Sequence, residues 1–207
     1  MPATRKIMLV RHGEKPAVPP PPQGIDENGN VDPESLTAQG WQRARLLVSL
    51  FNPESGKLRT GLARPTALFA GKTNDDHGKR PLQTLRPLAS ALQLPIDQTY
   101  SGSKIVSRVT PTGAGSGFVL ALGYDVSQIP DLARAMTTAG GVVLAAWRRT
   151  DIPVIAGQIV PGVAVPDRWP GKRYDVVWVF DLNDDGTTYR FSQVPQVLLP
   201  SDLATPI

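Results

Sequence analysis

The sequence contains no cysteine, so disulfides, thiolate metal centres and cysteine nucleophiles are all excluded. Histidine is almost as scarce. Only His12 and His77 occur in 207 residues, which leaves little for any chemistry that needs several imidazoles. Glutamate is rare and unevenly placed, with Glu14, Glu27, Glu34 and Glu54 the only ones and none after residue 54. Near the start the longest apolar stretch is Ile7 to Val10, too short for a signal-peptide core or a membrane span. Lys and Arg number 22 for a net charge of +4, yet no run of five or six forms a nucleic-acid arm. Internal repeats and domain linkers are also missing. With 41% apolar residues the chain can bury a proper core, and the expectation is a single domain over 1–207, cytoplasmic, with no nucleic-acid or membrane partner and no metal or other cofactor. Modest basicity suits a small phosphorylated partner or inorganic phosphate.

What is present alternates between strand-like apolar runs and segments of helical period, the pattern of an α/β domain with a mostly parallel central sheet. Strands are expected at Lys6 to Val10, Thr66 to Phe69, Val142 to Ala146, Asp175 to Asp181 and Tyr189 to Phe191. The last two are joined by the turn Asn183-Asp184-Asp185-Gly186 into an edge hairpin. Thr37 caps a helix whose apolar stripe is Ala38, Trp41, Ala44, Val48 and Phe51. Pro81 opens a second helix carrying Leu82, Leu85, Leu88 and Leu92, with Pro87 expected to kink it or remove one hydrogen bond. Asp131 to Ala139 is a short helix ended by Gly140-Gly141. Pro16 to Pro33 is a proline-rich loop, to be read either as a lid or binding loop or as an insertion without a role. Ser101 to Gly123 is irregular, with a short strand at Gly117 to Leu122.

Chemistry concentrates where the first strand ends. Arg11-His12-Gly13-Glu14 follows Ile7 to Val10, and the carboxyl edge of a buried strand is where open α/β sheets build their sites. Arg11 offers forked donors suited to phosphate oxygens, His12 a nitrogen that can act as nucleophile or base, and Gly13 a backbone able to turn sharply near a ligand. Arg80, beside a helix start, is a second phosphate-binding candidate. Asp75, Asp76 and His77 are adjacent in a polar loop and lack spaced partners for a metal. Gly113-Ala114-Gly115-Ser116-Gly117 lacks the Gly-Lys-Ser/Thr of a nucleotide loop and reads as a flexible loop. Trp147 flanks the expected pocket, in position to stack on a substrate.

Three segments together resemble the histidine phosphatase superfamily, the phosphoglycerate-mutase-like proteins. They are Leu9 to Glu14, Leu36-Thr37-Ala38-Gln39-Gly40 with Ala44, and Arg80 with Gln83-Thr84, in the family's order and near its spacing. The resemblance implies a three-layer α/β/α sandwich and phosphoryl transfer through a phosphohistidine on His12, with Arg11, Gly13 and Arg80 around the phosphate. It also implies an acid for the leaving oxygen, a contribution of typically ~10²–10⁴ in rate.

The sequence departs from that family at two points. A second histidine is expected just after Val142 to Ala146, where Trp147-Arg148-Arg149-Thr150 stands instead. Spacing back from Ile152-Pro153 aligns it with Arg148 or Arg149, preferably Arg149. Arginine keeps forked donors for phosphate but cannot relay a proton, since its pKa stays above ~12. The late acid is missing as well. Asp97 and Asp125 are the only carboxylates between Asp76 and Asp131, and Glu14 is the nearest catalytic candidate. Two readings stay open: a phosphoric monoester hydrolase using His12, and a catalytically impaired relative that binds phospho-ligands.

Overall fold

Alternation of side chains along a strand sends successive residues to opposite faces, and here both faces are covered. Strand β1 (Lys6–Arg11) points Ile7 and Leu9 into one core and Met8 and Val10 into another, all fully buried. The structure, a computed structural model, describes residues 4–73, 78–101, 104–112, 117–125 and 127–207, the segments 104–112 and 117–125 by their backbone alone. Helix α1 (Ala38–Phe51) follows, then β2 (Ala67–Ala70), α2 (Lys79–Leu92), β3 (Ile96–Asp97), β4 (Lys104–Thr112), β5 (Gly117–Asp125) and α3 (Ile129–Thr138). The chain closes with β6 (Val142–Trp147), α4 (Ile152–Ile159), β7 (Val176–Leu182) and β8 (Tyr189–Pro195).

Six strands form one sheet in the order β3-β2-β6-β1-β7-β8. β1, β2, β3 and β6 are parallel, and β7 alone runs against the others before β8 turns back at the edge. Leu47, Leu50 and Phe51 of α1 join Leu85 and Leu88 of α2 over one face, while α3 and α4 cover the other through Leu132, Met136, Ile152 and Ile155. This is the expected three-layer α/β/α sandwich with a mostly parallel sheet. Among the described residues no helix is long and apolar enough to cross a membrane.

Several expected elements shift or are new. Thr37 caps α1 as expected, its Oγ1 accepting the Gly40 N–H at 3.1 Å. α2 starts two residues before Pro81 and runs on through Pro87 to Leu92, so the proline does not end it. α4 was not among the expected elements; its buried residues Ile152, Ile155, Ala156 and Ile159 keep helical spacing. Ser101 to Gly123 is corrected from irregular: β4 and β5 pair antiparallel as a separate two-stranded sheet, and β5 contains the anticipated short strand. Gly, Ser and Thr, together with Pro111, had obscured β4. The Asn183 to Gly186 turn joins β7 to β8, with Asn183 N–H donating to Thr188 O at 2.8 Å. Asp75, Asp76, His77 and 113–116 lie outside the described residues.

Candidate functional site

β1 and β6 are neighbours in register, Arg11 opposite Trp147, so their carboxyl ends open at the same place. The backbone N–H of His12 extends that ladder by one bond, donating to Trp147 O at 3.0 Å. His12 is buried, and its Nδ1 lies 2.7 Å from Gly13 O. A carbonyl can only accept, so Nδ1 carries the proton and Nε2 is left with its lone pair. Burial is the main cause that pushes the imidazole pKa down to about 3; Arg11 adds to this, the Gly13 bond opposes it, and Arg80 and Lys15 add further. His12 is therefore neutral at physiological pH.

Arg11 is fully buried and fixed from behind. Its Nη1 donates to Gly171 O at 2.8 Å and Arg173 O at 2.9 Å, and its guanidinium carbon lies 3.6 Å from the centre of the Tyr174 ring. The Nε is buried with no hydrogen-bond partner among the described residues. An unmatched buried donor on a cation is costly unless an anion meets it. Burial lowers the guanidinium pKa to about 10, with the charge of exposed Arg149 contributing in the same direction. Tyr174, whose ring centre is 6.2 Å from that of His12, completes this corner. No motif around Tyr174 marks it in the sequence.

Arg80 sits in the first turn of α2, held by Ser35 O at 3.3 Å and Pro33 O at 2.6 Å, with Glu34 Oε2 at 3.7 Å. Gly13 has a different task from the one expected. Its N–H donates to Thr84 Oγ1 at 2.8 Å, and a Cβ there would lie 2.9 Å from Gly40 O. The close approach that requires glycine is thus to the start of α1, and the N–H is already engaged.

Glu14 is also placed otherwise than a proton donor would be. Its Oε1 accepts from Arg43 Nε at 2.9 Å and Nη2 at 2.7 Å, and Arg43 reaches on to Asp202 and Gln196. Burial alone would lower the Arg43 pKa, but its bonds to Asp202 and Glu14 outweigh that and raise it. Arg43, outside the apolar stripe of α1, is nonetheless buried. Arg148 donates from Nε and Nη2 to Asp151 Oδ2 at 3.2 and 3.1 Å, just before α4, whereas the charge of Arg149 is felt at Arg11. Trp147 is fully buried in the core between the sheet and α4, so it cannot stack on a substrate.

Two cavities flank this strand end. One of about 530 Å³ is bordered by Glu14, Arg43, Tyr174 and Asp202. The other, about 500 Å³, lies between Lys15, Arg80 and the proline-rich loop. Among the described residues no group of three or more histidines and carboxylates is arranged to hold a metal ion.

No protein-family model and no curated protein matches the sequence. The likeness is structural. The alpha-ribazole phosphatase of Shigella flexneri superposes with a TM-score of 0.51 at 12% identity, covering 89% of this chain and 94% of that one. A mycobacterial glucosyl-3-phosphoglycerate phosphatase, solved with VO3, gives a TM-score of 0.50 at 13% identity over 91% of this chain and 97% of its own. At these identities the comparison establishes architecture: the chain has the histidine phosphatase fold.

Proposed function

We propose that this protein is a phosphoric monoester hydrolase that works through a phosphohistidine on His12. The observation that carries the reading is a buried neutral imidazole whose Nδ1 proton is fixed on Gly13 O, leaving Nε2 unprotonated within the field of Arg11, whose buried Nε has no partner among the described residues. The Nε2 lone pair attacks phosphorus, the bond from phosphorus to the ester oxygen breaks, and that oxygen takes a proton. Water then attacks the phosphohistidine, the P–N bond breaks, and inorganic phosphate leaves with Nε2 restored. Arg11, Arg80 and Arg149 supply positive charge for the phosphoryl oxygens. Glu14 is tied to Arg43, and Glu34, the carboxylate lining the cavity beside Arg80, is paired with that arginine, so we assign the proton of the leaving oxygen to water.

Phosphatases among the solved structures of this fold, one of them holding VO3, support the class of reaction. A second reading has its own observation: an arginine, Arg149, stands at the strand end where a second histidine was expected, and a cation that cannot relay a proton favours binding over turnover. Hydrolysis of an aryl phosphate by the wild type and by His12→Ala, with phosphate-ester binding followed by calorimetry, separates the two. The hydrolase requires turnover that falls by ~10³ or more in the variant. Micromolar binding without turnover leaves the binding protein. Arg149→His is expected to raise turnover, and Arg148→His to leave it near the wild-type value.

A further inference from the structure

Among the described residues, the two most exposed large apolar side chains are Val18, 94% exposed, and Val31, 66% exposed. A single valine in water is unremarkable, but both of these border the same cavity of about 500 Å³. That volume lies in the range of small-molecule pockets. The same lining carries two cations, Lys15 and Arg80, whose charges are felt at His12, and Glu34, which pairs with Arg80. Prolines of the loop supply much of the remaining wall.

The part of this wall that follows Gly24 is built rather than loose. Residues on successive turns of α2 hold the loop: Lys79 bonds Asp32 at 2.9 Å, Arg80 bonds Pro33 O, Gln83 Nε2 bonds Ser35 Oγ at 2.8 Å, and Arg86 pairs with Glu27 at 2.5 Å. From the other side Trp41 Nε1 donates to Ile25 O at 2.7 Å. A cavity lined by both cations and apolar side chains, with part of its wall fixed before binding, fits one kind of ligand.

We propose that the cavity walled by the proline-rich loop receives the apolar organic group of the phosphate monoester, so that aryl or branched alkyl esters are the substrate class in preference to small polar ones. This rests on the hydrolase reading for its phosphate end. Affinities of 1-naphthyl phosphate and methyl phosphate, compared in the wild type and in Val18→Asn/Val31→Asn, test it. Taking the ratio of the two esters within one protein removes any general loss of folded protein. The wild type is expected to bind the naphthyl ester at least tenfold more tightly, and the double variant to lose most of that preference. Equal affinities in the wild type, or a preference that survives both substitutions, overturn the pocket. Turnover of the same esters keeps the two proposals apart. A naphthyl preference without hydrolysis upholds the pocket and overturns the hydrolase, whereas hydrolysis of both at equal kcat/KM does the reverse. Binding of neither ester overturns both.

Discussion

At the scale of the residue, His12, the proposed nucleophile, leaves a mark on stability. Its pKa is about 3 in the folded protein against an ordinary 6.5. Above pH 6.5 it is neutral in both states and the shift contributes nothing. As the pH falls from 6.5 towards 3, the unfolded chain takes up a proton that the folded protein refuses, and stability drops by about 1.4 kcal/mol per unit. Between pH 7 and 4.5 the urea midpoint of the wild type should therefore fall further than that of His12→Gln, by the equivalent of ~2–3 kcal/mol; parallel curves would show that His12 is not held neutral. The position of His12 at a strand end was legible from the sequence. Its tautomer was not, because that depends on where Gly13 O comes to lie. Tyr174 and Glu14 teach the same lesson from opposite sides: Tyr174 lacks a motif and stacks on Arg11, while Glu14 lies in the motif and serves Arg43.

At the scale of the element, the turn after β1 and the start of α1 are fitted backbone to backbone. Thr37 donates from its N–H at 2.9 Å to Glu14 O, and a Cβ on Gly40 would lie 2.6 Å from that oxygen and 2.9 Å from Glu14 N. Backbone atoms on both sides cannot give way easily. Gly40→Ala should cost roughly 1–3 kcal/mol in urea unfolding and reduce aryl phosphate turnover, since it pushes on the turn that carries His12. Gly157, inside α4 with open space around it, is the contrasting case. Gly157→Ala should stabilise by up to ~1 kcal/mol through helix propensity, and a loss there would count against the packing of α4. Amphipathic α1 was readable in advance because capping and period agree. α4 and β4 were not, since short segments rich in β-branched residues or in Gly, Ser and Thr carry no decisive local signal.

At the scale of the whole molecule, Arg43 joins three distant parts of the chain: Glu14 after β1, its own helix, and Gln196 and Asp202 of the C-terminal segment. Asp202 is almost fully buried, and although burial opposes it, the bonds from Arg43 and from the N–H groups of Leu198 and Leu199 hold its pKa low. Removing the cation strands two carboxylates. Arg43→Ala should lose about 3–5 kcal/mol, measured by urea unfolding at pH 7, and Arg43→Met combined with Glu14→Gln and Asp202→Asn should recover a substantial part. A loss below ~1 kcal/mol in the single variant would show that the network is not a structural tie.

The sequence alone determined the α/β class, the strand and turn that present His12, and the amphipathic faces of α1 and α2. Each of these is a property of neighbouring residues, expressed through period, capping and turn chemistry. Only the tertiary structure decided which cations reach His12, that Arg11 rests on Gly171, Arg173 and Tyr174, that Glu14 belongs to Arg43, and that the proline-rich loop walls a cavity beside Arg80. Those partners are separated along the chain by dozens of residues to more than 150, and no local pattern records a contact that exists only once the sheet has brought its ends together.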